Sequence, residues 1–181
     1  MRSDDKIQEI VHKTAELMLS AENREITTRR IAENANVNSA MINYYFGSKE
    51  NLLKKSLLMI GGISDRVHTP GGGSRKEMFD FLVRICETSM LFRKYGLSED
   101  TKHFAKDVFA VSSELAEMMG MHGIRPSEAS KLSAYAAVNF LMTASADPRG
   151  FMEYSGIDIT SKNRLRTLIS GQLDTLLGDV L

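Results

Sequence analysis

Apolar side chains recur at helical spacing along most of the chain. In residues 4–21 they fall every three or four positions from Ile7 to Met18, the stripe of an amphipathic helix. The same spacing predicts longer helices over Lys49–Val67, Lys76–Tyr95, Ser98–Gly120 and Pro126–Ala146, and one capped by Thr160. Residues 147–150 are predicted to stop the helix before them. No stretch alternates with the period of two that marks a strand. The pattern predicts an all-α protein of about nine helices.

Two short helices joined by a tight turn follow the first helix. Thr27 is a suitable N-cap for one of them, and Asn38 for the next, which runs through Phe46. Between them Asn34-Ala35-Asn36 interrupts the helix, since asparagine is one of the few residues that tolerate a left-handed backbone. Gly47 ends the second short helix, and Ser48 can cap the long helix after it. This is the pattern of a helix-turn-helix.

The second short helix has an apolar side and a polar side. Ile42 and Phe46 would anchor it, which leaves small and polar residues on the face that can approach base edges in a major groove. Among them, Asn43 carries an amide that can pair with adenine. The hydroxyls of Tyr44 and Tyr45 can reach phosphates, and Lys49 sits at a helix N-terminus, which attracts anions.

The chain as a whole is neutral, but one segment of it is basic. The chain of 181 residues has 23 basic and 23 acidic residues, yet the segment 24–55 carries six basic and three acidic ones. The neutral total therefore combines a basic N-terminal part with an acidic remainder, which favours nucleic-acid binding by that part. No apolar leader is recognised, and the longest uncharged run, 132–146, is shorter than the roughly 20 residues of a membrane span. We expect a soluble cytoplasmic protein with no membrane partner.

Residue chemistry argues against catalysis. The single cysteine, Cys86, excludes an internal disulfide, and the four histidines show no metal-ligand spacing with one another or with it. There is no nucleophile elbow, phosphate loop or pair of carboxylates in a known motif. The expectation is a protein that is not an enzyme and has no metal and no cofactor.

The run ITTRRIAENANVNSAMINYYFGSKENLL, Ile26–Leu53, resembles the DNA-binding domain of TetR-family transcriptional repressors, and the resemblance covers about residues 4–66. It implies a helix-turn-helix DNA-binding domain over 1–48, a connecting helix over 49–67, and a helical domain over 68–181 that dimerises and binds a small molecule. Family phosphate contacts map onto Thr28, Tyr44, Tyr45 and Lys49, and family base contacts onto Ser39, Ala40, Met41 and Asn43. Two positions depart from the family: Asn36 replaces the usual glycine, and Asn43 replaces the first of the usual tyrosines.

The C-terminal part offers both a dimer surface and a pocket. Leu132–Ala146 is uncharged and rich in small residues, and the last helix carries a leucine stripe, so we expect the two to pair with their twofold mates as a four-helix interface. Apolar pocket candidates on the preceding helices are Phe81, Met90, Phe92, Phe104, Phe109 and Met118. They favour an uncharged or amphipathic effector, which would weaken operator binding through the helix over 49–67.

Three functional interpretations follow. The first is a homodimeric repressor that binds a palindromic double-stranded operator and is released by a small-molecule effector. The second is a DNA-binding regulator controlled by a protein partner, without a small-molecule ligand. The third is an enzyme or carrier with a helical N-terminal domain, and the helix-turn-helix motif favours the first two over it.

Overall fold

The computed structural model describes residues 3–20, 25–61, 72–97 and 101–178. Within them the chain forms helices only, which confirms the all-α prediction. The nine helices are α1 (Ser3–Ser20), α2 (Thr28–Asn34), α3 (Ser39–Phe46), α4 (Lys49–Gly61), α5 (Arg75–Lys94), α6 (Thr101–Met121), α7 (Glu128–Ala146), α8 (Pro148–Ser155) and α9 (Lys162–Leu177). Among the described residues, no helix is long and apolar enough to cross a membrane. The chain divides into an N-terminal unit, Met1–Arg66, and a C-terminal unit, Val67–Leu181.

In the N-terminal unit, α1 is the support on which α2 and α4 pack. Its apolar stripe is buried, with Ile10 fully enclosed. Polar side chains inside the contact are satisfied: the buried Ser56 hydroxyl of α4 donates to the Val11 carbonyl of α1 at 3.1 Å. The Asn34 amide at the end of α2 donates to the Lys13 carbonyl at 2.8 Å. These bonds fix α2 and α4 on one scaffold, because a buried polar group without a partner would destabilise the unit.

The turn between α2 and α3 has the conformation that its asparagines predict. The Thr27 hydroxyl accepts from the Arg30 backbone N–H at 3.2 Å, and the Asn38 side chain accepts from the Ala40 N–H at 2.9 Å. Asn36 is the residue other than glycine that has a positive φ, 50°, among the described residues. Gly47, at φ 74°, ends α3. The predicted helix-turn-helix is confirmed, and Asn36 fills the left-handed position because its short polar side chain tolerates it.

In the C-terminal unit, α7 packs against α5, α6, α8 and α9. Its buried face combines Ala134 and Ala137 with larger residues such as Val138. Small side chains let neighbouring helices approach closely, so α7 can contact several at once. The Arg93 guanidinium also donates to the Ala146 carbonyl at 2.8 Å and pairs with Asp147 at 2.6 Å, which ties the ends of α5 and α7 together.

Two predicted helix boundaries in this unit differ from the structure by one or two residues. Gly120 does not stop α6, which continues to Met121, and the left-handed residue after it is Gly123, at φ 105°. Pro126 lies before α7 rather than in its first turn, since Ser127 is the N-cap and its hydroxyl accepts from the Ser130 N–H at 3.1 Å. A glycine inside a helix costs only about 1 kcal/mol relative to alanine, which the packing of α6 outweighs.

The stop predicted at residues 147–150 is also the start of a helix. Asp147 accepts from the Gly150 N–H at 3.2 Å, and Pro148 occupies the first turn of α8, where a missing N–H costs nothing. Thr160 is not the cap of the last helix: it donates through N–H and hydroxyl to Asp158, at 3.0 and 2.6 Å, and Ser161 is the N-cap. The predicted cap Ser98 and the end of the predicted 49–67 helix beyond Gly61 lie outside the described residues.

Candidate nucleic-acid interface

The two sides of α3 differ sharply in burial. Ile42 is fully buried and Phe46 nearly so, which holds the helix against α2 and α4. Tyr44 is 83% exposed, and Ala40, one turn before it, is exposed as well. Residues four apart lie on the same helix face, so Ala40 and Tyr44 form the outward ridge opposite the anchors. Because Ala40 is small, the part of the ridge beside the exposed Tyr44 phenol can approach the surface of a binding partner closely.

A cleft beside this ridge gathers three of the predicted phosphate- and base-contacting residues. It has a volume of about 630 Å³ and lies where the first turns of α2 and α4 meet α3. Thr28, Asn43 and Lys49 all line it. Helix N-termini present unpaired N–H groups and a partial positive charge; Lys49 adds a full positive charge, and Glu50, which also lines the cleft, adds a full negative one. The N–H groups of the two helix starts and the ammonium of Lys49 are the groups of the cleft that can contact an anionic oxygen.

Sequence reasoning assigned only capping roles to two other residues of the cleft, Thr27 and Ser48. The Ser48 hydroxyl accepts from the Asn51 N–H at 3.1 Å, so it caps α4 and also faces the cleft. Thr27 and Ser48 lie at the N-termini of α2 and α4, and this position in the sequence was a signal that they lie near an anion site. The ammonium of Lys49 is 3.8 Å from the Glu50 carboxylate, a contact too long to fix the lysine.

The remaining candidates lie on α3 outside the cleft. Ser39, Met41 and Tyr45 are half-buried. The Tyr45 ring meets the Tyr44 ring edge to face, with centroids 5.1 Å apart. Such aromatic contacts stabilise one ring orientation, so Tyr45 supports the exposed Tyr44.

Of the basic residues in the segment 24–55, Arg29 forms an ion pair within the protein. Its guanidinium pairs with Glu33 at 2.9 Å, and the hydrogen bond to that carboxylate raises the pKa of Arg29. Arg30 donates to the Glu25 carbonyl at 3.4 Å. Lys55 lies 6.0 Å from the centre of the Phe46 ring. Arg24 lies outside the described residues.

The pocket candidates of the C-terminal unit do not come together. Phe81 and Met118 are buried in the core, and Met90 and Phe92 are half-buried. The side chain of Phe104 lies outside the described residues. Phe109 alone among the described candidates lines the groove of about 1060 Å³ between α6 and α7, which we call the α6–α7 groove. Sequence reasoning missed its other apolar walls, although Leu132 stood out as a large residue in an uncharged helix.

Cys86 is sealed inside the C-terminal unit. It is fully buried, and burial raises the pKa of its thiol to about 11. We expect iodoacetamide to leave the folded protein unmodified at pH 7.5 and to alkylate Cys86 when denaturant is added, because only the thiolate reacts. Mass spectrometry of the intact chain measures this. Alkylation of the folded protein as fast as of a free thiol would contradict the burial.

No group of three or more metal-ligating side chains that could hold a metal ion occurs in the described part of the chain. Among known proteins, residues 10–55 match the family model described as "Bacterial regulatory proteins, tetR family". The match spans most of α1, the helix-turn-helix and the first half of α4. No curated protein matches the chain.

Proposed function

We propose that the chain, whose residues 10–55 match the model of the tetR family of bacterial regulatory proteins, is a TetR-type regulator that binds DNA through its N-terminal unit: a homodimeric repressor released from a palindromic operator by a small-molecule effector. It acts in the cytoplasm. The outward ridge of α3 beside the anion-binding cleft is the observation that supports the DNA-binding mode. A major groove about 12 Å wide admits a helix, and the cleft then faces the flanking phosphates.

The cleft supports different roles for the helices: the starts of α2 and α4 contact phosphate, and α3 approaches the bases. Thr28 and Lys49 hold one phosphate from two helix N-termini, which sets the register of the unit on the duplex. Ser39, Ala40 and Met41 precede Tyr44 on α3 and approach the bases, where small side chains permit contact with base edges. Tyr44 and Tyr45 complete the set of contacts to the backbone. These roles agree with the burial of each residue.

The exposed face of α7 supports the dimer. Leu132, Ala136 and Thr143 are exposed and uncharged, although they lie on the helix that contacts four others in the C-terminal unit. On α9, Leu168 and Leu176 are only half-buried, whereas the rest of the leucine stripe, Leu165, Leu173 and Leu177, is buried within the chain. Two copies of each helix would cover these surfaces in a four-helix interface. A dimer with two α3 ridges then reads two half-sites.

The experiment that tests this function is selection of bound duplexes from a random pool, with and without metabolites extracted from cells. We expect a palindromic consensus whose recovery falls when the metabolites are present. A thermal-shift screen of the same extract identifies an effector, since a ligand stabilises the folded state by mass action. A consensus without any metabolite effect on binding or thermal stability would favour control by a protein partner.

Substitutions at Asn43 and Tyr44 should respond alike in this selection if both side chains contact phosphate. Because Asn43 shares the cleft with Thr28 and Lys49, we expect Asn43→Ala to weaken all duplexes alike and to leave the selected consensus unchanged. Tyr44→Phe removes the hydroxyl that we expect to contact a phosphate. It should likewise weaken binding to all duplexes and leave the consensus unchanged. Sequence logos and binding titrations for both variants are the measurement.

Adenine readout by Asn43, the role that its position on the helix face predicts, has a distinct signature. Asn43→Ala would then lose about 1–3 kcal/mol on the selected operator only and relax one base pair in each half-site. Tyr44→Phe is the matched control, since a phenol that contacts phosphate leaves the consensus intact. A relaxed position in the logo of Asn43→Ala alone would overturn the phosphate role.

A further inference from the structure

Three of the most exposed large apolar side chains in the described C-terminal unit lie on one surface, the α6–α7 groove. Phe109 is 60% exposed, Met121 51% and Leu132 67%, and all three line the groove. Folded domains in water rarely expose such a cluster unless another molecule covers it. We propose that a second copy of this chain covers it, groove against groove, in a contact that is additional to the α7–α9 interface of the proposed dimer.

The walls of the groove, α6 and α7, run antiparallel, and two contacts fix which of their residues lie at the same level. At one end the rings of Phe109 and Tyr135 stack, with centroids 5.4 Å apart and planes 19° apart. At the other end a Cβ at Gly120 would lie 3.7 Å from the Pro126 Cγ. Residues of the two helices between these contacts therefore lie side by side in reverse order.

The charged residues of the groove lining are one acid and one base on opposite walls, Glu117 on α6 and Lys131 on α7. Both are exposed, and neither has an ion-pair partner among the described residues. By the antiparallel order of the two helices, they lie within about one helical turn of the same level. The groove therefore has no net charge but presents a positive and a negative group side by side.

This charge pattern is complementary to itself. A twofold axis that runs along the groove places α6 of one copy over α7 of the other, at the same level. Glu117 of each copy then faces Lys131 of the other copy, which gives two ion pairs for each contact. In a twofold contact the same patch meets itself, so a patch with charges of a single sign would repel its mate. The opposite signs on the two walls are what such a contact requires.

The same axis brings apolar surfaces of the two copies together. The stacked rings of Phe109 and Tyr135 meet the stacked rings of the other copy, and aromatic side chains are enriched in the buried centres of interfaces. Leu132 on α7 faces the opposite wall of the other copy, where Ser113 and Ala116 are small and leave space for it. Apolar residues thus fill the contact, and the two ion pairs fix its register.

The groove contact differs from the proposed dimer interface. Phe109 and Met121 lie on α6, which takes no part in that dimer, and Ala136 and Thr143 of the dimer surface lie outside the groove lining. Leu132, one turn before Ala136, borders both surfaces. Each dimer would therefore carry a groove on each protomer, through which dimers associate in turn. A contact made by so few large side chains is weak, so it forms at high protein concentration.

The test is sedimentation equilibrium over a wide range of protein concentrations. We expect the weight-average mass to rise above that of the dilute species as the concentration increases. Lys131→Glu places like charges opposite each other and should weaken this association about ten-fold, whereas the double variant Glu117→Lys, Lys131→Glu exchanges the charges and should restore it. The matched control is Arg149→Glu, which reverses an 83% exposed charge on α8 and should associate as the parent chain does.

A carbodiimide, which joins a carboxylate to an amine that touches it, provides a second measurement. In a concentrated mixture of isotope-labelled and unlabelled chains, we expect a covalent dimer in which the Glu117 peptide of one copy is joined to the Lys131 peptide of the other. Mass spectrometry of peptide pairs that contain one labelled and one unlabelled member distinguishes this product from a link across a single groove.

Three results would overturn the groove contact. They are a mass that stays at its dilute value at every concentration, a double variant that associates no better than Lys131→Glu, and a cross-link that forms only within one copy. In each case the groove is left to a different molecule. The rise in mass is measured from whichever species the dilute chain forms, and it needs no DNA, so this contact and the proposed function fail separately.

Discussion

We expect Ala136→Glu to convert the proposed dimer to monomers and nearly to abolish operator binding. Ala136 is exposed on α7, within the uncharged face that we propose pairs with its twofold mate. Two copies of Ala136→Glu would bring carboxylates together in a dry contact, where an unpaired charge is strongly unfavourable. A dimer gains about 10²–10⁴-fold in affinity from binding two half-sites at once, and the monomer loses this gain. Analytical ultracentrifugation and titration of the selected duplex measure both effects.

The control is Met152→Glu, which adds the same charge to an exposed side chain on α8, outside the two helices of the proposed interface. It should leave the sedimentation coefficient and operator affinity unchanged. A duplex that carries one half-site provides a second check, since both variants should bind it as the parent chain does. A dimeric Ala136→Glu protein would place the interface elsewhere.

Phe46→Ala unfolds the N-terminal unit. The Phe46 side chain is 94% buried at the end of α3, and Lys55 lies over its ring. Phenylalanine-to-alanine changes in a core cost about 3–5 kcal/mol through lost burial and the cavity left behind. A unit of this size rarely has more than about 3–5 kcal/mol of stability in its core. Thermal unfolding followed by circular dichroism should show loss of the helices of this unit at 25 °C, with loss of DNA binding.

The neighbouring Tyr44→Ala is the matched control, because it removes an aromatic ring of similar size from a side chain that is 83% exposed. It should weaken DNA binding while the unfolding transition stays within about 0.5 kcal/mol of the parent, as is usual for surface positions. Equal destabilisation by both variants would contradict the anchoring role of Phe46.

Sequence reasoning succeeded in the N-terminal unit because its signals are local. The caps at Thr27 and Asn38 act on N–H groups two or three residues away, and the left-handed turn at Asn36 depends on that residue's own side chain. The periodic burial of Ile42 and Phe46 follows from helical spacing alone. These features predicted the helix-turn-helix, whereas the family was indicated by the resemblance of the run Ile26–Leu53, and the family model matches residues 10–55.

In the C-terminal unit, local signals were ambiguous. Pro148 after Ala146 was interpreted as a stop, although proline equally suits the first turn of a new helix. Thr160 has the chemistry of a cap, but Asp158 engages both its N–H and its hydroxyl. Whether Thr160 caps the helix or donates to Asp158 depends on the backbone conformation that tertiary packing imposes on this part of the chain.

The sequence by itself determined the helical class, the turn chemistry and the polar face of α3, because each depends on residues within about one helical turn of one another. Only the tertiary structure decided which residues share a surface. It placed Thr28 and Lys49 in one cleft with Asn43, and Phe109 in a groove with Leu132 while Phe81 and Met118 went to the core. It also brought Gly73 against His122, 49 positions later. Such contacts depend on the packing of whole helices, which periodicity along one helix cannot specify.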